Sequence, residues 1–210
     1  MDVFGIPMGI LHGMVVEEHT GIVIFIILSL VIRVLGDLTK SKIKMVSDQI
    51  PTIHSASDTI AFYGSAAAIF FLIVSGVTGY LIQPYSSITS EPILLNKSLF
   101  ALAALFFWCA FFFNRYWFGP NLWSHRGLYL VQIVTALLGV TCIALAASIG
   151  AELTLGQSVL EPVYNYFNFS WSNFMLGTLE IGVTAVLVVI GIAIALVLKP
   201  KSGNQKKQTK

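Results

Sequence analysis

The chain has 210 residues, of which 56% are hydrophobic and only 10% are charged, and its formal net charge is +2 at pH 7. Soluble domains carry about 25% charged residues, so this composition excludes an ordinary soluble globular protein. A net charge this small gives no reason to expect nucleic acid as a partner. We therefore expect an integral membrane protein whose immediate surroundings are the lipid bilayer.

Five apolar runs are long enough to cross a bilayer, which takes roughly 20 residues of helix. The predicted fold is an all-α, polytopic membrane helix bundle with five transmembrane helices. In chain order the predicted spans are Met14–Leu35, Thr59–Ile82, Ser98–Asn114, Gly127–Ile149 and Phe174–Leu198. The predicted parts are a four-helix bundle (1–150), an aromatic outer loop (151–173), the fifth transmembrane helix (174–198) and a basic cytoplasmic tail (199–210).

The positively charged residues predict how the chain is oriented, because Lys and Arg are enriched in cytoplasmic loops. Of the 12 Lys and Arg residues, all except Lys97 fall on one predicted side of the membrane. We therefore expect the N-terminus outside, the C-terminus in the cytoplasm and a multi-pass protein of the cell membrane. No cleavable signal sequence is recognisable before the first span, which we expect to act as a signal anchor.

The second and fourth spans are rich in Gly, Ala and Ser, which let membrane helices approach closely. We predict that these two spans make the tightest contact in the bundle. Ahead of the second span, Ser55-Ala-Ser-Asp58 resembles a capping box and predicts that the helix begins there. Cys109 and Cys142 fall at different predicted depths, so we interpret both as packing residues and not as a disulfide.

Aromatic residues crowd the third span and the predicted outer loop. In the third span the expected role is lipid-facing bulk and an interfacial belt, and the alternative is a ring-stacking wall for a cofactor. The outer loop is expected to lie in the membrane interface, or to form a docking surface or a quinone-access lid. The aromatic residues of these segments are Phe106, Phe107, Trp108, Phe111, Phe112, Phe113, Tyr116, Trp117 and Phe118, and Tyr164, Tyr166, Phe167, Phe169 and Trp171.

Histidines and glutamates near the predicted outer ends of the spans form the first candidate site. Helical periodicity places His12 and His19 on one face and directs the glutamates beside them elsewhere. Two turns separate these histidines, so one metal ion cannot bind both on a regular helix, although Gly13 offers a place for a break. The full candidate set is His12, Glu17, Glu18, His19, Glu152 and Glu180.

Several kinds of chemistry fit this set of side chains. Histidine with carboxylates suits a hard or borderline metal ion, a proton relay or a hydrogen-bonded quinone headgroup. The alternative is a group of hydrated interfacial residues that serve helix packing or contact a partner subunit. Glu180 has the predicted position farthest from the membrane interface, and it is the member of the set that we most expect to be functional.

His54 and His125 form the second candidate site. They precede the second and fourth spans at similar predicted depth, and a haem b needs two axial ligands that face each other across the iron. The alternative is that both histidines are solvated at the membrane edge. The sequence contains no nucleotide-binding loop, no zinc-type cysteine spacing and no nucleophile motif. We therefore expect no catalytic activity from this chain on its own.

Four short motifs resemble the family of four-helix membrane domains known as domain of unknown function 2231. They are His12 with Val16, Gly64-Ser-Ala-Ala67, Thr78-Gly-Tyr80 and Gly150-Ala-Glu-Leu153. The resemblance covers roughly residues 10–155 and implies a four-helix membrane domain. Some relatives in that family are linked to Rieske-type iron–sulfur domains, which implies a redox setting and electron transport.

Three functions are compatible with these features. The first is a non-catalytic integral subunit of a larger membrane complex, with a redox or respiratory role, whose partners are other membrane subunits. The second is a membrane electron carrier that binds haem or a quinone. The third is a small proton or ion transporter that works through Glu180, although five spans without a detectable repeat argue against it.

Overall fold

The computed structural model describes residues 2–3, 6–39, 49–83, 85–158 and 160–171. Two short strands, β1 (Asp2–Val3) and β2 (Ile6–Pro7), pair antiparallel before the first helix. The helices are α1 (Met8–Thr39), α2 (Ile50–Ile82), α3 (Tyr85–Ser90), α4 (Pro92–Phe118), α5 (Arg126–Leu155) and α6 (Glu161–Tyr166), and a 3-10 helix (Pro120–Ser124) joins α4 to α5.

Helices α1, α2, α4 and α5 are long and apolar enough to cross a membrane, judged by length and composition. They correspond to the first four predicted spans, so the prediction of an all-α, multi-pass membrane helix bundle is confirmed for this part of the chain. The fifth predicted span and the basic tail lie outside the described residues.

The second helix begins earlier than predicted. Helix α2 starts at Ile50 with Pro51 in its first turn, a position where the missing N–H of proline costs nothing. Ser55-Ala-Ser-Asp58 therefore lies inside the helix, and the prediction that it caps the start was wrong. The Asp58 carboxylate bonds to side chains of other elements instead.

The prediction that the second and fourth spans pack most tightly against each other was also wrong. Helix α2 packs most extensively on α1, and α5 packs on α4. A Cβ atom at Gly64 of α2 would lie 2.8 Å from Cγ1 of Ile26, and one at Gly139 of α5 would lie 3.2 Å from Nε1 of Trp108. Gly64 thus makes room for Ile26 of α1, and Gly139 makes room for Trp108 of α4. These glycines of α2 and α5 do not bring the two helices against each other.

The bundle core is built around Trp108 and Phe111 of α4, which are fully buried among apolar side chains of all four long helices. The interpretation of this aromatic run as lipid-facing bulk is therefore wrong for these two residues. Phe113 and Tyr116 of the same helix are exposed, and for them the lipid-facing role stays a prediction. Cys109 and Cys142 are both free, as predicted.

Candidate functional site

An ion pair ties three elements together near the start of α2. Arg115 of α4 donates to the Asp58 carboxylate through both Nε (2.7 Å) and Nη2 (2.5 Å). Trp123 of the 3-10 helix donates its indole N–H to the same carboxylate. One turn along the two helices, the rings of Phe62 and Phe112 stack with centroids 5.0 Å apart. The antiparallel packing of α2 on α4 thus brings an acid and a base 57 residues apart into bidentate contact.

Arg33 extends this network to α1. Its guanidinium lies over the Trp123 ring, 4.3 Å from the ring centre, and donates from Nη1 to the backbone oxygen of His54 (3.0 Å). We call the set Arg33, Asp58, Arg115 and Trp123 the arginine end of the bundle. Buried charges need partners of opposite charge or hydrogen bonds. Here Arg115 has the Asp58 carboxylate, and Arg33 has the Trp123 ring and the His54 backbone oxygen.

The two histidines of the predicted haem site occupy different surroundings. His54 lies beside Gly36 of α1, and its Nε2 is 3.3 Å from the Asp37 carboxylate. His125 is exposed and precedes the first residue of α5. The structure thus gives His54 an acidic partner on α1, and the pairing of His54 with His125 on a haem stays a prediction.

A second polar layer lies at the opposite end of the bundle. Nδ1 of His12 is 2.9 Å from Oγ1 of Thr78, and the Thr78 hydroxyl also lies within hydrogen-bond distance of backbone oxygens of its own helix. The Lys97 amine of α4 lies at the same end of the bundle and packs beside Gly150 of α5. We call His12, Thr78 and Lys97 the histidine end.

His19 lies between the two ends and points into the bundle. It is 3% exposed, and its Nδ1 lies 3.0 Å from the backbone oxygen of Ala68. Glu17 and Glu18 are exposed on another face of α1. The predicted division of these residues between faces is confirmed, because α1 continues as a regular helix through Gly13.

The predicted metal set is only partly described by the structure. Among the described residues, no three His, Cys, Asp or Glu side chains are placed to hold a metal ion together. Glu152 is half-buried near the end of α5, on a different helix from His12 and His19. Glu180 lies outside the described residues, so a site completed by it stays a prediction.

The described part of the predicted outer loop packs against the bundle. Trp171 is buried, and its ring contacts those of Phe100 on α4 (5.5 Å between centroids) and Tyr164 (5.6 Å). The Tyr164 hydroxyl is 2.8 Å from Oγ of Ser148 on α5. These contacts tie this segment to α4 and α5, whereas Tyr166 and Phe167 are exposed.

The spacing of the two ends matches a bilayer. His12 and Arg33 are about 31 Å apart along α1, and Lys97 and Arg115 about 27 Å apart along α4, at about 1.5 Å per residue. The hydrocarbon core of a bilayer is about 30 Å thick. Glu18 is then about 9 Å below the His12 level, on the exposed face of the helix.

Sequence reasoning missed the importance of Asp58, Arg115 and Trp123. The available signal was Asp58 itself, a carboxylate beside a long apolar run, since such residues are rare in membrane spans and usually paired. Its partners come from distant parts of the chain, and nothing in the local pattern identifies them.

The described residues define an all-α, multi-pass membrane helix bundle with a buried ion pair at one end and a histidine–lysine layer at the other. Comparison with known proteins finds no family model that matches the chain, no similar curated protein and no similar solved structure.

Proposed function

We propose that the chain is a non-catalytic integral subunit of a larger membrane complex. The observation that carries this proposal is the exposed pair Glu17 and Glu18 within the apolar length of α1. A carboxylate that faces hydrocarbon is costly, and ionisable residues in membrane spans almost always face protein or a water-filled cavity. A partner subunit on this face would give both carboxylates hydrogen-bond donors.

The surface beside the two glutamates is where we propose that the partner packs. A shallow groove continues from them along the seam between α1 and α2, and its wall includes Phe25, which is 70% exposed. Gly64 lets the two helices lie close together at the floor of this groove. A transmembrane helix of a partner would bury these apolar side chains and reach the carboxylates at one end.

The redox or respiratory setting of the complex rests on the resemblance to the domain of unknown function 2231. The predictions of bound haem b, quinone or metal ion are tested by an absorption spectrum of the purified protein, oxidised and then reduced, with a metal assay on the same sample. A reduced haem band would overturn the non-catalytic proposal in favour of an electron carrier.

We further propose that the arginine end faces the cytoplasm, because basic residues are enriched on that side. In a variant without Cys109 and Cys142, a single cysteine replaces exposed Ser90 at the histidine end or exposed Ser124 at the arginine end. We expect a membrane-impermeant thiol reagent to label Ser90→Cys in intact cells, and Ser124→Cys only after permeabilisation. The reverse pattern would contradict this orientation.

The double variant Glu17→Gln/Glu18→Gln tests the proposed complex. In membranes solubilised with a mild detergent, the wild-type protein is expected to migrate on a native gel well above its own 22.9 kDa. The variant is expected to lose at least tenfold of that complex, because hydrogen bonds to a charged group contribute about 1.5–3 kcal/mol each and the Gln side chains are neutral.

The matched control is Glu161→Gln, which removes an exposed carboxylate outside the four long helices and is expected to leave the complex unchanged. A wild-type protein that migrates as a monomer would refute the subunit proposal. A complex that survives the double substitution would show that Glu17 and Glu18 do not carry it.

A further inference from the structure

The groove beside the two glutamates is one continuous surface along the seam between α1 and α2. Glu17 and Glu18 line its first part together with Gly21, Ile22 and Phe25. Ile22 and Phe25 also line its second part, whose other wall belongs to α2. From Glu17 to Phe25 the surface extends about 12 Å along α1, which is just over two turns of a helix packed alongside.

The two glutamates have no counter-ion in the described part of the chain. The salt bridges of that part lie at the arginine end. Lys97, the basic residue of the histidine end, packs beside Gly150 of α5, and His19 points into the bundle toward Ala68. Ionisable residues in membrane spans usually pair with one another, so the positive charge that these carboxylates need is not among the described residues.

Charge argues against two occupants of this groove. The last predicted span, Phe174–Leu198, contains one charged residue, Glu180, and would add a third carboxylate. A second copy packed through the same groove about a twofold axis would bring four carboxylates together, and like charges across an interface oppose association. A helix of a different protein that carries a positive charge meets neither objection.

We propose that a transmembrane helix of a different subunit packs in this groove and pairs a Lys or Arg with Glu17 and Glu18. This inference rests on the proposed function and adds the chemistry of the partner. The basic residue lies at the depth of the glutamates, about 7–9 Å from the His12 level, and apolar residues follow it for about two turns toward Phe25. At Gly21 a Cβ atom would meet no atom within 4 Å, so the bundle itself does not require this glycine, and a small residue there lets the partner approach closely.

Photo-cross-linking in the membranes that hold the complex tests this partner. Phe25 is replaced in the full-length chain by the photoreactive analogue p-benzoylphenylalanine, and the cross-linked peptide is sequenced by mass spectrometry. We expect an apolar span of a different protein with a Lys or Arg within about eight residues of the cross-linked position. The same replacement at Phe113, an exposed phenylalanine of α4, is expected to give about tenfold less of that product, because the product needs direct contact.

An exchange of charges tests the ion pair itself. Glu17→Lys/Glu18→Lys is expected to reduce the complex on a native gel at least tenfold, because it places like charges across the interface. Glutamate in place of the partner's basic residue is expected to do the same to the wild-type chain. The two changes together are expected to restore at least about a third of the wild-type complex, because the facing charges are then opposite again.

Several results would overturn this partner and leave the proposed function standing. They are a complex in which Phe25 cross-links to a second copy, to residues 172–210 or to a span without Lys or Arg, a complex that gives no cross-link from this position, and exchanged charges that restore nothing. A wild-type protein that migrates as a monomer would instead refute the proposed function, and this inference with it.

Discussion

Replacement of Asp58 by alanine is expected to lower the free energy of unfolding by about 3–5 kcal/mol, because it leaves Arg115 as a buried charge without its partner. The Arg115 and Asp58 side chains are only 15% and 11% exposed. The same change removes the acceptor of the Trp123 indole and so loosens the ring on which Arg33 rests. Unfolding by sodium dodecyl sulfate in mixed micelles, followed by circular dichroism, measures this loss.

Asp37→Ala is the matched control for that measurement. Asp37 also faces a basic side chain, His54, at 3.3 Å, but it is 39% exposed, and exposed ion pairs contribute about 0–1 kcal/mol. Replacement of both partners by apolar residues, as in Asp58→Leu/Arg115→Met, is expected to recover most of the lost stability, because no unpaired charge then remains. Equal losses for Asp58→Ala and Asp37→Ala would contradict the assigned role of the ion pair.

Trp108→Ala is expected to cost about 3 kcal/mol or more, the low end of the range for a large aromatic residue in a soluble core. The low end applies because lipid is as apolar as the bundle interior, so the loss is mainly one of packing contacts. Trp108 is fully buried and packs against Gly139, where a Cβ atom would lie 3.2 Å from Nε1 of the indole. The same titration in mixed micelles measures the effect.

Phe106→Ala is the control on the same helix. Phe106 is 38% exposed, and we expect its removal to cost less than about 1 kcal/mol, because surface substitutions away from special features have small effects. A Trp108→Ala variant as stable as Phe106→Ala would mean that the core around Trp108 repacks freely.

Hydropathy predicted where the four described spans lie but not where their helices end. Helix α1 begins at Met8 and ends at Thr39, several residues beyond the predicted span at each end. A hydropathy window detects only the part of a helix that is apolar. The backbone hydrogen bonds continue into the polar flanks, where the sequence pattern carries no membrane signal.

Periodicity on α1 was more informative than composition. The spacing of His12, His19 and Val23 placed them on one face and Glu17 and Glu18 on others, as the structure has it. This prediction needs only a regular helix with about 100° of rotation per residue. It could not say which of those faces would be covered, because that depends on where α2 lies.

The sequence by itself determined that this is a multi-pass membrane protein, where four of its helices run and which residues share a face of the first helix. These properties depend on local composition and on the geometry of one helix. Only the tertiary structure decided that Gly64 receives Ile26, that Trp108 fills the core, and that Asp58 pairs with Arg115 and Trp123. Contacts of this kind join residues far apart in the chain. A small residue or a lone carboxylate in the sequence indicates that some side chain packs on it or pairs with it, but the local pattern does not identify that side chain.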